Sequence, residues 1–593
     1  MHKASTWSWR LAGGTNTSQP KWKGVVVAAK ATVMDNHAQP GQVLGKIHWD
    51  DSFVRELPGE RVEEGQDLTR PRTVKQALWS PAVLTPPGAD AGQGTAGDAR
   101  RGPRTICVSH DVAEMVGADP KSLEDEEEKT KLAECLVGSR PLPAGAVPYA
   151  ACYGGHQFGN WAGQLGDGRA ITLGESVTSE GKRYELQVKG PGKTAYSRMA
   201  DGRAVLRSSI REFLMSEAMH ALGIPTTRAL ALVDTGADVM RDIMYSGDPR
   251  WEPGAVVCRV APTWIRFGTF QLPASRGELD LVKMVADYLV KYHMKEFADL
   301  PREVKYKAML DEIVKRTADL VVGWCSVGFT HGVLNTDNMS VLGLTLDYGP
   351  YGTVEEFDPS FTPNTTDLPG RRYCFGNQPD IALWNIARMA EAWVQADLLT
   401  LEQAKESVSA YPDMFRTLYD EHFAKKLGLK KMYSPEILDE LTLLMAEDKA
   451  DYNCTFRSLA RVDVSADTSV PSTLLQPLLD GGALLPSQLD EQRKSKWAEF
   501  LLKYKELARQ EGAEFLAKRA ACMDAVNPMY VLRNHLLQTA IDRAEEGDYG
   551  EVHKLFALCQ RPFEEQEGIE ERYARRAPSG TKKIGVTMLS CSS

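Results

Sequence analysis

In the segment HGVLNTDNMSVLGLTLDYGPYG, residues 331–352, His331 and Asn338 stand seven positions apart, and Asp347 follows nine residues after Asn338. An amide oxygen and a carboxylate oxygen are hard donors suited to Mg²⁺, which makes Asn338 and Asp347 candidate metal ligands. Asp337, next to Asn338, supplies a base beside that metal. Upstream, GGHQFGNWAGQLGDGRAITLGE at 154–175 is dense in glycine, with Gly166 and Gly168 just before Arg169. Glycine-rich backbone lets N–H groups approach phosphate oxygens, and an arginine adds a bidentate contact.

Two further residues join the set. In RYELQVKG, Tyr184, Leu186 and Val188 alternate with Glu185, Gln187 and Lys189, so the lysine leaves a strand on the face opposite the apolar side chains. The stretch ADGRAVLRSSIREFLMSEAMHALGIP reads as a turn at Asp201 and Gly202, then a helix from about Arg203 to Leu222, closed by Gly223 and Pro225. Glu212 lies mid-helix, 23 positions after Lys189. A strand lysine held by a helix glutamate is how the protein-kinase fold grips nucleotide phosphates. A kinase catalytic loop also has histidine and a metal-binding asparagine seven positions apart, followed by an Asp-Phe-Gly element; Asp347-Tyr348-Gly349 corresponds. Where a kinase has its catalytic aspartate this chain has Val333, which cannot accept a proton. Leu342, Leu344 and Leu346 alternate as a short strand would.

The elements that position these residues are mixed. Short strands and one good helix fill 145–272, helical periodicity prevails over 277–460, and 463–485 reads as a weakly ordered link. Beyond Ser487, Trp497, Phe500, Leu501, Tyr504 and Leu507 form an apolar helical stripe. Glycine-rich 88–104 and the acidic run EDEEEK at 124–129 read as solvated surface loops. The expectation is an α+β protein with a kinase-like two-lobed fold and an additional C-terminal helical region. Its parts are a leader at 1–43, an N-terminal lobe at 44–275, a C-terminal lobe at 276–462, helices at 463–575 and a tail at 576–593.

Composition narrows the function classes. With 593 residues and 43% apolar content the chain can bury a large core, and its formal charge of -10 excludes a general nucleic-acid binder. No run of about eighteen apolar residues supports a membrane span. Ten scattered cysteines without a CxxC pair argue against a zinc module and a disulfide framework, and most read as buried, reduced thiols. Cys591, two residues from the end in a polar tail, stands apart as a redox candidate or simply part of an unstructured end. The first 34 residues are basic and lack Asp and Glu, as in an organellar transit peptide; a disordered leader or fragmentary gene start is the alternative. Mitochondrion is the first expectation for location, with plastid or cytoplasm behind it.

The motifs GGHQFGNWAGQLGDGR, the Lys189 strand, YSRMADGRAVLRSSIRE, IPTTRAL, HGVLNTDN, LDYGPYG, FGNQPDIALWN at 375–385 and NPMYVLRN at 527–534 together resemble the selenoprotein O family. That resemblance implies a kinase-like fold that binds ATP in a flipped orientation and transfers AMP to Ser, Thr or Tyr hydroxyls of protein substrates. By the same resemblance, Gly166, Gly168, Arg169 and Lys189 contact ATP phosphates, with Glu212 pairing Lys189. Asp201 and Gly202 belong to the nucleotide site, and Arg259 and Arg266 grip phosphates. Asp337 is the proton acceptor, and Asn338 and Asp347 bind Mg²⁺, with Mn²⁺ as the alternative. Some members carry selenocysteine where Cys591 stands here, which favours a redox role for it. A phosphotransferase and a non-catalytic ATP-binding scaffold are the competing readings.

Overall fold

The alternation that sets Lys189 opposite Leu186 and Val188 recurs across a nine-stranded antiparallel sheet. The computed structural model describes residues 39–89, 101–243, 246–465, 470–578 and 586–590. The strands are β1 Trp49–Asp50, β2 Trp79–Pro81, β3 Arg104–Val108, β4 Tyr149–Ala151, β5 Ala170–Val177, β6 Arg183–Lys189, β7 Ala204–Val205, β8 Arg228–Arg241 and β9 Arg250–Ala261. Their order is β2-β4-β5-β6-β9-β8-β3, with β1 on β5 and β7 on β9.

The period of two sorts side chains between two cores. Leu186, Val188, Val256, Cys258 and Val260 face a cluster that includes Leu132 and Leu136 of helix α1, Glu126–Leu136. On the other face, Leu232 and Val257 meet Ile210, Phe213 and Leu214 of helix α2, Leu206–Ala221. Burying a side chain such as Phe213 is worth about 1.5–3 kcal/mol. The acidic run EDEEEK, expected as a loop, instead opens α1. Asp125 accepts the Glu127 N–H at 2.8 Å, and Glu126, Glu127 and Glu128 occupy the first turn, where the helix dipole favours anions.

Helix α2 begins three residues later than the sequence suggested, because Ala204 and Val205 pair with β9 first. It ends as read: Gly223 has φ 77, and the Ile224 N–H donates to Met219 O at 2.9 Å in a Schellman arrangement. From Phe267 onward the chain is mainly helical, with α3 Phe267–Ser275, α4 Arg302–Val327 and α5 Gln378–Gln395. The expected strand at Leu342–Leu346 does not form. Gly343 turns the chain at φ 68, and isolated bridges tie Thr345 to Met339 and to Thr226. Within the expected link, Pro471–Asp480 is helix α6.

The aromatic stripe lies on α7, Glu491–Arg509, where Trp497, Phe500, Leu501 and Tyr504 are fully buried and Leu507 only partly so. Helix α8, Gly550–Cys559, returns to the sheet, with the Phe556 ring 5.2 Å from that of Phe213 on α2. One apolar cluster thus runs from Phe53 to Tyr573. Among the described residues no helix is long and apolar enough to cross a membrane. Nine cysteines there are free thiols, eight of them buried and Cys522 exposed. Cys591 and leader residues 1–38 lie outside the described residues.

Candidate active site

Strand register brings the first group together. Val257 sits opposite Lys189 and Arg259 opposite Gln187, so Gln187, Lys189 and Arg259 share the face that looks onto α2. Glu212, at the middle of α2, meets both cations: its Oε2 lies 2.7 Å from Lys189 Nζ and its Oε1 2.8 Å from Arg259 Nη1. Arg259 also donates to Gln187 Oε1 and to Asp347. Burial works against each charge here, raising Glu212 and lowering Lys189. The two cations outweigh it for Glu212, whose carboxyl is held below its ordinary value. Burial prevails for Lys189, which falls below its own.

Asp347 is the second focus. Its Oδ1 is held by Arg259 and lies 3.7 Å from Lys189 Nζ, while its Oδ2 is held by Arg266 at the start of α3. Burial alone would raise this carboxyl; Arg266, Arg259 and Lys189 overcome it and keep it well below the usual range. The side chain nonetheless retains 21% exposure, so a ligand can still reach it. Its backbone takes a left-handed φ of 58, a conformation that costs energy in a non-glycine residue and clusters at functional sites. Arg266 also donates to Asp337 O at 2.7 Å and lies 3.8 Å from Asp167 Oδ1, which ties the cluster to the loop carrying Asp337.

Asp337 and Asn338 sit in a short 3-10 turn, Thr336–Asn338. Burial pushes the Asp337 carboxyl up to about 6, against the pull of a Gln157 hydrogen bond and of Arg266. Gln157 Nε2 donates to Asp337 Oδ2 at 3.1 Å, and Oδ1 has no hydrogen-bond partner among the described residues. Gly155 makes the close approach possible, since a Cβ there would stand 2.5 Å from Asp337 Oδ1. Asn338 Nδ2 donates to Val333 O at 2.8 Å, which leaves the amide oxygen as an acceptor. His331 is buried against Trp324 and Phe329, and its Nε2 meets Leu346 O at 2.9 Å; it fastens the loop to the Asp347 segment.

The structure therefore gathers Lys189, Glu212, Arg259, Arg266, Asp337, Asn338 and Asp347 in one place. Arg169 is joined to the lysine strand through its backbone, its carbonyl accepting the Gly190 N–H at 2.7 Å; burial lowers the basicity of its side chain while Glu212 and Asp347 raise it. Asp201 is engaged elsewhere, paired with Arg241 at 2.7 and 2.9 Å. Gly202 lets its loop pass close to Gly192, whose carbonyl oxygen would lie 2.2 Å from a Cβ, and Gly166 likewise leaves room for Tyr196. Sequence reasoning did not single out Gln157, Asp167 or Gln187. Gln187 could have been found, being two residues from Lys189 on the same strand face; nothing local marks the other two.

A sheet-borne lysine–glutamate pair, an arginine-bound aspartate and a neighbouring raised carboxyl form a buried charged cluster in a mixed α/β protein with a helical C-terminal region. The chain belongs to the SelO family, whose model, described as protein adenylyltransferase SelO, matches residues 99–560. Among relatives, it is 46% identical over 559 residues to the protein nucleotidyltransferase YdiU of Xanthomonas campestris pv. campestris strain 8004, covering 92% of this chain and 99% of that protein. The YdiU proteins of Azoarcus sp. strain BH72 and Tolumonas auensis are 46% and 45% identical, each over 92% of this chain and 99% of their own length.

Proposed function

We propose that this chain is a protein adenylyltransferase that transfers AMP from ATP to Ser, Thr or Tyr hydroxyls of protein substrates and releases pyrophosphate, on a kinase-like two-lobed fold. The observation that carries this reading is Asp337: a carboxyl raised to about 6, with one oxygen unpartnered among the described residues, beside Asn338 and the cations around Asp347. In the reaction Asp337 Oδ1 takes the proton of the acceptor hydroxyl as its oxygen attacks the α-phosphorus. The bond from that phosphorus to the bridging oxygen breaks, and pyrophosphate leaves with the electron pair.

Lys189, Arg259, Arg266 and Arg169 would meet the phosphates, stabilising charge that grows on the leaving group. Arg259 and Arg266 hold Asp347, so phosphate oxygens and Asp347 compete for the same guanidinium groups. The donor set fits Mg²⁺, or Mn²⁺, which would be held by the Asn338 amide oxygen and the Asp347 carboxylate. Among the described residues no group of three His, Cys, Asp or Glu side chains could hold a metal, in keeping with an ion that completes its shell with water and substrate phosphates. Such an ion, when bound, neutralises phosphate charge.

Purified protein given ATP labelled at the α or the γ phosphate, with Mg²⁺, tests the reading. Protein-bound label from α supports AMP transfer; label from γ indicates a phosphotransferase; label from neither leaves a scaffold. Asp347→Ala is expected to abolish transfer, and full α-label transfer by that variant would overturn the site assignment. The organellar address rests on composition of residues 1–43, and import of a fusion carrying them tests it. A redox role for Cys591 rests on family resemblance, and thiol-alkylation mass spectrometry of oxidised and reduced protein tests that.

A further inference from the structure

The hairpin that covers Asp337, formed by Gly154–Gln157 and Asn160–Gln164, turns at Phe158 and Gly159, whose φ values are 51 and 84. Two successive positive φ angles are the mark of a type I′ turn, and an aromatic residue in the left-handed region persists only where its surroundings enforce it. Here they do. The Phe158 N–H donates to the Tyr373 hydroxyl at 2.7 Å and to Asn335 Oδ1 at 3.3 Å, and the Tyr373 hydroxyl donates to that same Asn335 oxygen. The hairpin is thereby fixed to the loop two residues before Asp337.

This wall of the site carries side chains that none of the chemistry above uses. Trp161 keeps 39% of its surface exposed, and the His156 ring lies 5.0 Å from it and 5.3 Å from Trp384. The Arg372 guanidinium spreads over the Trp384 ring at 4.8 Å, and a Cβ at Gly159 would stand 3.4 Å from Arg372 Cζ. Arg372 Nε is buried with no hydrogen-bond partner, and the side chain forms no salt bridge among the described residues. Its neighbour Arg388 pairs with Glu391 at 2.6 Å, and the cations around Asp347 are answered by Glu212, Asp347 and Asp167. In a chain of net charge -10, a guanidinium that touches the Tyr373 hydroxyl and feels Asp367 only at longer range, laid on an indole beside an exposed tryptophan, is a local exception. Tryptophan and arginine are the residues that dominate binding energy at protein interfaces, and a guanidinium fork selects carboxylates.

We propose that this wall is the acceptor subsite of the AMP-transfer reaction. Trp161, His156 and Trp384 take an extended segment of the protein substrate, and Arg372 binds an Asp or Glu a few residues from the acceptor hydroxyl. The proposal rests on the adenylyltransferase reading and adds a substrate class to it: hydroxyls in acidic sequence.

The test uses the full chain, Mg²⁺ and α-labelled ATP with two peptides that share one acceptor hydroxyl, flanked in one by Glu and in the other by Lys. Wild-type protein is expected to favour the acidic peptide by roughly tenfold or more in kcat/KM, the size of one charge-assisted hydrogen bond. Arg372→Ala should erase that preference through the KM for peptide, with the KM for ATP unmoved; Arg372→Lys should keep part of it, and Arg372→Glu should reverse it. Because each variant is judged by its ratio between peptides, partial loss of folded protein does not blur the result. Equal rates on both peptides in the wild type overturn the inference, as does a loss in Arg372→Ala that falls on the KM for ATP. Failure of α label to reach any peptide or protein overturns the adenylyltransferase reading itself, and this inference with it.

Discussion

A carboxyl lifted to about 6 by burial is protonated, and useless as a base, below that pH. If Asp337 accepts the hydroxyl proton, kcat/KM should rise with pH through about 6 and then level off, because the raised value marks where the active, ionised form of the free protein appears. Initial rates of α-label transfer between pH 5 and 8 measure this. Asp337→Asn should remove the limb and about two to four orders of magnitude of turnover, the usual share of a general base. Arg259 has a different role at this scale, since it answers both Glu212 and Asp347 in a buried setting. Arg259→Ala leaves those carboxylates short of a cation and should cost about 3–5 kcal/mol of stability, read as a lower melting temperature. Loss of catalysis without any such shift would mean that the arginine serves only the ligand.

Between elements, the decisive contact is the hairpin lying against the 3-10 turn. A Cβ at Gly155 would collide with Asp337 Oδ1 at 2.5 Å and with Asp337 Cβ at 2.9 Å, so Gly155→Ala should displace one against the other. The expected result is about a hundredfold loss of kcat, the cost of a small misplacement, with ATP affinity retained in a calorimetric titration. Much of this level was legible in the sequence. The strand that carries Lys189 follows from its alternation, and the helix that carries Glu212 from its periodicity and its Gly223 stop. The acidic run reads as a loop because charge density resembles solvated surface, yet an aspartate cap followed by glutamates is also how a helix begins, and here it does. The leucines at 342, 344 and 346 alternated as a strand does, but Gly343 turns the chain and leaves only bridges to Met339 and Thr226.

The whole molecule depends on its C-terminal helices more than their distance in sequence suggests. Arg533 pairs with Asp451 at 2.7 Å, the two side chains being 2% and 0% exposed. Asn534 next to it accepts the Thr353 N–H at 3.1 Å and donates to Thr353 O at 2.8 Å, six residues after Asp347. NPMYVLRN is thus a structural brace for the segment that follows Asp347. Arg533→Ala should cost about 3–5 kcal/mol by stranding Asp451, and thermal unfolding together with the rate of α-label transfer would register it.

The sequence by itself determined which residue types stand at which spacing: a lysine on a strand face, a glutamate mid-helix, His331 seven residues before Asn338, and a valine in place of a base. These are properties of neighbours along the chain, where periodicity and turn chemistry act. Only the tertiary structure decided which carboxylate answers which cation, that Asp201 turns away to Arg241, and that Gln157 reaches across 180 residues to Asp337. Burial and Coulomb interaction depend on distances in space, so the raised carboxyl of Asp337 and the depressed one of Asp347 exist only once the sheet, α2 and the loop have closed around them.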